Sequence, residues 1–170
     1  ASKEIFKSEI DQIAGVEKSS LFDNPPAHNG WSTTIMSYEQ DGQMVEIDVH
    51  QKPGDTSYLG LFDIPLLAGR NVRAHDSIDE YVINETLARS MGFDEPSDAV
   101  GNTIENSDEQ IPIVGVAKDF HVLNLHEAIK PVALSYHRGG GLGVKVGAGH
   151  WEMVDKLVDQ AKIIWANQWP

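Results

Sequence analysis

The segment from Tyr81 to Pro131 limits most tightly what this chain can fold into. It opens with Tyr81-Val82-Ile83, an apolar, β-branched run that suits a buried strand. Asn84 follows directly, and its side-chain oxygen can accept from the free backbone amides of a helix that starts there. Glu85 adds negative charge at the positive end of that helix dipole. Leu87, Ala88 and Met91 share one helical face, and Gly92 supplies the left-handed residue that ends it. After a turn-rich stretch, Ile111 to Ala117 repeats the strand pattern. It leads through Lys118-Asp119-Phe120-His121 into a predicted second short helix, capped by Asp119 and closed before Pro131. Strand, capped helix and strand in succession point to a mixed α/β chain of the α+β class.

The flanks are consistent with that class. Residues 1–14 predict an amphipathic helix with Phe6, Ile10 and Ile13 on one face, stopped by Gly15. Val16 to Phe22 predicts a strand. Trp31 to Tyr38 and Met44 to Val49 alternate as two strands around the Gln40-Asp41-Gly42 turn. Tyr58, Leu59, Leu61 and Phe62 predict a helical turn, with a Pro-interrupted apolar segment from Ile64 to Gly69 behind it. Beyond Pro131, Val132–Tyr136 and Leu142–Val146 predict strands on either side of Gly139-Gly140-Gly141. That glycine run has neither the G-x-x-x-x-G-K-[ST] nor the G-x-G-x-x-G mechanics of a phosphate cradle, so it reads as a turn. Trp151, Val154, Leu157, Val158, Ala161, Ile164 and Trp165 form the stripe of a closing helix, expected to be core.

Composition excludes several classes. Thirteen basic residues against 26 acidic ones leave a formal charge of −13 in 170 residues, a field that repels nucleic acid and anionic lipid. With no cysteine, the chain has no disulfide, thiolate metal site or cysteine nucleophile. No apolar run approaches the roughly 20 residues that span a bilayer.

Chemistry was sought among the seven histidines. Only His121 and His126 are close in sequence, and their i, i+5 spacing does not put both on one helical face. With Asp119 they are the candidates for a mixed metal site, against a plainer reading of Asp119 as a cap and the histidines as structural donors. No nucleophile elbow is present, and Glu85 and Asp119 read as caps before they read as a catalytic pair.

The strings VINETLARSMGF, AVGNTI, IPIVGVAKDFHVLNLHEAIKPVAL and YLGLFDIPLLAGRNV, in this order-dependent arrangement over about half of the chain, resemble the MacB-like periplasmic core domain of MacB/FtsX-type ABC transporter permeases. The matching positions are Gly69, Arg70, Asn84, Glu85, Gly101, Gly115, Asp119, Phe120, His121, His126 and Pro131. The resemblance implies a porter-like β-α-β subdomain built from both ends of the chain, about residues 1–50 and 132–170, with a smaller mixed α/β subdomain of about 51–131 inserted. Since the chain starts and ends on a helix, the outer strands of two β-α-β units are expected before Ala1 and after Pro170, leaving sheet edges open. It also implies a non-catalytic domain without cofactor or bound metal, on the periplasmic side of an inner membrane. Its partners would be its own transmembrane helices, a cytoplasmic ABC ATPase subunit, a second permease copy or paralogue, and a periplasmic adaptor, with no nucleic acid. The role is to relay conformational change for export, lipoprotein handling or signalling. A stand-alone periplasmic ligand-binding or sensor domain, and a metal-dependent hydrolase using Asp119, His121 and His126, are the alternatives.

Overall fold

A computed structural model describes residues 2–28, 33–122, 126–149 and 151–169. Helix α1 (Ser2–Ile10) leads into β1 (Val16–Phe22), followed by β2 (Thr33–Gln40), β3 (Gln43–Gln51), the single turn α2 (Tyr58–Leu61) and β4 (Leu66–Gly69). Then come β5 (Tyr81–Asn84), α3 (Glu85–Ser90), α4 (Pro96–Ala99), β6 (Thr103–Asn106), β7 (Glu109–Ala117), β8 (Val132–Leu134) and β9 (Gly141–Val146). A 3-10 turn, Trp151–Met153, opens α5 (Val154–Gln168). The chain is a mixed α+β fold, as its sequence predicts. His150 and the Trp31 start of the β2 pattern lie outside the described residues.

Two sheets divide the strands. One is the antiparallel pair β1–β9, with Val16 opposite Val146 and Phe22 opposite Gly141. Among the described residues neither strand has a further ladder partner in that sheet, although residues 53–55 bond to the end of β1 along its outer edge. The other sheet runs β4-β7-β5-β8-β3-β2-β6, and an additional pairing joins β6 to β7. That pairing closes a ring: β7 to β5, β8, β3, β2 and β6, then back to β7 through Thr103 opposite Pro112 and Asn106 opposite Glu109. The β2–β6 step is a single registered pair, Ser37 opposite Glu105. β4 lies outside the ring on the last residues of β7. Closure satisfies edge groups that an open sheet would present to solvent.

Alternation along the ring strands sorts side chains into two cores. Met36, Tyr38, Val49, Tyr81, Ile83, Ile104, Ile111, Ile113 and Ala133 fill one with Leu87, Ala88 and Met91 from α3. Val82, Leu134 and Ala117, from the same strands, join Phe22, Tyr58, Leu59, Leu61, Val72 and Tyr136 in the second. The boundary set from the resemblance, residues 51–131 against the two ends, therefore runs through the ring. β2, β3 and β8 come from the end ranges yet pair with β5 and β6. Of the elements in the two end ranges, α1, β1, β9 and α5 take no place in it.

Gly54 joins the two sheets. It bridges antiparallel to Phe22 and parallel to Tyr136, with its amide on Ser135 O at 3.1 Å. A Cβ at this position would lie 2.7 Å from the Tyr58 ring. Asp55 finishes the joint: its amide donates to Leu21 O, and its carboxylate accepts from Leu21 N and Ser20 Oγ.

Two sequence expectations are corrected. Helix α5 is not core: none of its described side chains is fully buried, and Val158 and Trp165 are 42% and 52% exposed. The reason is its support, since it packs on α1 with Phe6 against Trp165 and Trp169 (ring centroids 5.5 and 6.0 Å apart), above a sheet of only two strands. The second short helix before Pro131 does not form among the described residues, 118–122 and 126–131; 123–125 lie outside them. The carbonyls of His121 and Val122 accept instead from the amides of Ala27 and His28, which ties 121–122 to the 24–28 loop.

Candidate functional site

The sequence motif residues converge where β5 ends, α3 begins and β7 runs out. Asn84, 1% exposed, caps α3 by accepting from Leu87 N at 3.1 Å. The same oxygen accepts from Val132 N at 2.9 Å, and its amide donates to Asp119 Oδ1 at 2.8 Å and Lys130 O at 2.9 Å. One buried amide thus uses both donors and both acceptor sites, which a buried Asn needs to avoid a desolvation cost. Asp119 does not cap a helix of its own. Its carboxylate caps α3, taking Thr86 N and Thr86 Oγ1, each at 2.9 Å. Arg89 approaches Asp119 Oδ2 at 3.4 Å and binds Glu85 Oε1 at 2.8 Å, while Glu85 Oε2 accepts from Asp119 N. The result is a knot of two acids, one amide, one hydroxyl and one guanidinium, with every carboxylate directed at a helix N-terminus or a cation.

The remaining motif positions serve the backbone. Gly69 has φ +70, and a Cβ there would lie 2.3 Å from Val114 O. At Gly115 a Cβ would meet Arg70 O at 2.2 Å, so β4 and β7 approach as only a glycine permits. Gly101 sits at φ +91 just beyond α4 and donates to Ile113 O. Arg70 pairs in bidentate fashion with Glu80, at 2.8 and 2.5 Å. That pairing holds the Glu80 carboxyl below its usual range, helped by the Arg73 amide. Phe120 packs with Val122 and Val132 in a small third core, and Pro131 O accepts from His50 N.

His121 is half-buried and His126 exposed, and the Asp119 carboxylate already receives Asn84, Thr86 and Arg89. Among the described residues no three His, Asp or Glu side chains assemble as a metal site.

Sequence reading missed a basic pair at the end of β3, with His50 inside the strand and Lys52 one residue past it. Lys52 is 3% exposed, and its amine donates to Pro25 O at 3.0 Å and Val122 O at 3.5 Å. Burial pushes its pKa down to about 8. His50, two residues earlier and 8% exposed, is also pushed down, by burial first and then by Lys52 and Lys130. Alternation placed both on one face at the end of β3, but nothing local showed that this face would be covered.

No protein-family profile matches the chain, and no curated protein sequence matches it. Solved structures do. The periplasmic region of MacB from Actinobacillus actinomycetemcomitans superposes over 95% of this chain and 73% of its own, with a TM-score of 0.64 and 14% identity. The extracellular domain of the noncanonic ABC-type transporter YknZ from Gram-positive bacteria covers 96% and 82%, with a TM-score of 0.63 and 9% identity. A domain assigned to a permease protein of Porphyromonas gingivalis covers 92% and 74%, with a TM-score of 0.57 and 21% identity. The chain has the fold of a MacB-like periplasmic domain, and these neighbours are periplasmic or extracellular domains of ABC-type transporters and a permease.

Proposed function

We propose that this chain is the extracytoplasmic domain of an ABC transporter permease. It is joined to its own transmembrane helices and relays movement driven by a separate cytoplasmic ATPase subunit to a second permease copy or paralogue. The observation that carries the reading is agreement of fold with the MacB periplasmic region over 95% of the chain. The motif geometry supports it. Asn84, Glu85 and Asp119 bond to one another and to Thr86, Arg89 and the backbone, which is the behaviour of a structural joint. No helix among the described residues is long and apolar enough to cross a membrane, so the domain's place in this reading is outside the bilayer. Such a relay needs two packed arrangements separated by a few kcal/mol, with the nucleotide state of the ATPase biasing between them.

The test uses the full-length protein in membranes. It should co-purify with an ABC ATPase, and spin labels placed at Ser107 on the ring and Asp159 on α5, each exposed, should change separation between the ATP-bound and hydrolysed states. Failure to recover an ATPase, or separations identical in both states, overturns the relay.

A further inference from the structure

His50 and Lys52 lie two residues apart at the end of β3, beneath two segments that the fold ties together. The 24–28 loop and the 118–122 segment are joined by the amides of Ala27 and His28, at 2.8 Å from His121 O and 3.2 Å from Val122 O. The Lys52 amine reaches one carbonyl of each segment, Pro25 O and Val122 O, and so stitches both to the strand. Val122 and Phe120 complete the cover by packing on Val132, the residue in register with His50 on the neighbouring strand β8.

Under this cover burial is the largest influence on both groups. Among the described residues the Lys52 amine meets two carbonyls, and desolvation perturbs it. Around His50 stand Asp48 on β3 itself, Lys52 just past it, and Lys130 and Glu127 from the segment leading to β8. His28, His121 and His126 belong to the covering segments and their surroundings. A neutral imidazole is tolerated in that position. A second cation must be desolvated beside an ammonium that is already buried, which costs far more than the same proton costs in water.

We propose that residues 24–28 and 121–122 form an acid-released clasp, closed over the end of β3 while His50 is neutral and opened when His50 takes up a proton, with Asp119 staying in its bonds to Asn84, Thr86 and Glu85. Opening lets the imidazolium reach water and separates it from Lys52, so the open form binds the proton more tightly than the closed form. The sign follows from linkage: closure is complete above the ordinary histidine value of 6.5 and weakens as pH falls below it. The limit for one proton is about tenfold in the closing equilibrium per pH unit. Opening breaks the Ala27–His121 and His28–Val122 bonds and the two contacts of the Lys52 amine, and leaves Lys52 N on Ala133 O in the ring, so it is local.

Hydrogen exchange resolved by residue tests this on the whole domain. Between pH 7.5 and 5.5, protection factors of the Ala27 and His28 amides, corrected for intrinsic exchange, should fall, by no more than about tenfold, while those of Ile83 and Val116 in the ring stay constant. His50→Gln, neutral at every pH, should remove the dependence and leave both sets protected. Should His50→Gln fail to fold, His50→Asn provides the same neutral replacement with less bulk. Protection at Ala27 and His28 that does not change with pH, a fall shared equally by the ring, or a fall that survives in the folded variant each overturns the clasp.

Discussion

Replacing Asn84 tests whether the sequence motif is a structural joint. Its side chain is 1% exposed and makes four hydrogen bonds, accepting from Leu87 N and Val132 N and donating to Asp119 and Lys130 O. Asn84→Ala deletes all four and leaves two backbone amides and a carbonyl buried without those partners. At about 1 kcal/mol net per bond, the loss is about 4 kcal/mol. That is a large fraction of the roughly 5–15 kcal/mol that holds a domain together. For a chain of this size the midpoint should drop by roughly 8–16 °C. Asn84→Asp keeps both acceptor contacts but sets a second carboxylate where 2.8 Å separates the amide from Asp119 Oδ1. Its penalty should therefore shrink at acid pH, where one of the pair can hold a proton. Exchanging the two groups, Asn84→Asp with Asp119→Asn, restores one amide opposite one carboxylate. The double variant should be more stable than the sum of the single losses by at least about 1 kcal/mol. Urea melts of the parent, Asn84→Ala, the two single exchanges and the double variant, taken in parallel, measure each loss. A loss below about 1 kcal/mol for Asn84→Ala, or strict additivity in the cycle, refutes the joint.

Three further outcomes follow from groups described above. Lys52 has a native pKa of about 8 against an ordinary 10.5, so the unfolded chain holds a proton that the native state has released between those values. Stability should rise with pH across that window, by at most about 1.4 kcal/mol per unit, and Lys52→Met should flatten the rise in chemical melts taken from pH 7.5 to 10. Glu80 shows the same sign in a lower window: Arg70 depresses its carboxyl, so its contribution is present above the ordinary carboxylate range and lost as pH falls through the native value. Acid titration by circular dichroism should show the loss shifted or removed in Glu80→Gln. Gly115→Ala puts a methyl 2.2 Å from Arg70 O, between backbones that cannot yield separately, and should cost about 3 kcal/mol in a thermal melt; a cost within 0.5 kcal/mol, about the scatter of a surface change, contradicts the close approach.

Local chemistry was legible in the sequence wherever one residue decides one turn. Asn84 is the cap it resembles, Gly92 has φ +89, and Asp41-Gly42 makes the tight β2–β3 turn with both φ values positive. The long-range closures were not. β6 is four residues, Thr-Ile-Glu-Asn, too short and polar for a period to stand out, yet it completes the ring by pairing with β2 and β7. The stripe on α5 predicted a core face because periodicity reports which side is apolar and not how much surface lies beneath it. At the candidate site the sequence placed Asp119 next to a helix of its own. Its actual partners, Asn84 and Thr86, are more than thirty residues earlier and meet it only because β5 and β7 run parallel. Lys52 carried no signal at all, since what buries it is a contact between loops near residues 25 and 122.

The narrow seam at Gly54 has a mechanical consequence. A hoop of strands resists shear at every rung, whereas the β1–β9 ribbon meets it through the Gly54 bridges, the Asp55 fastenings and the packing of Phe22 on Tyr58 and Tyr136. Torque applied to α1 and α5 would concentrate in that waist, swinging the hoop as an undeformed weight. Bulk added at Gly54 would press on the Tyr58 ring, 2.7 Å from a Cβ placed there, and so disturb the joint together with the core beneath it.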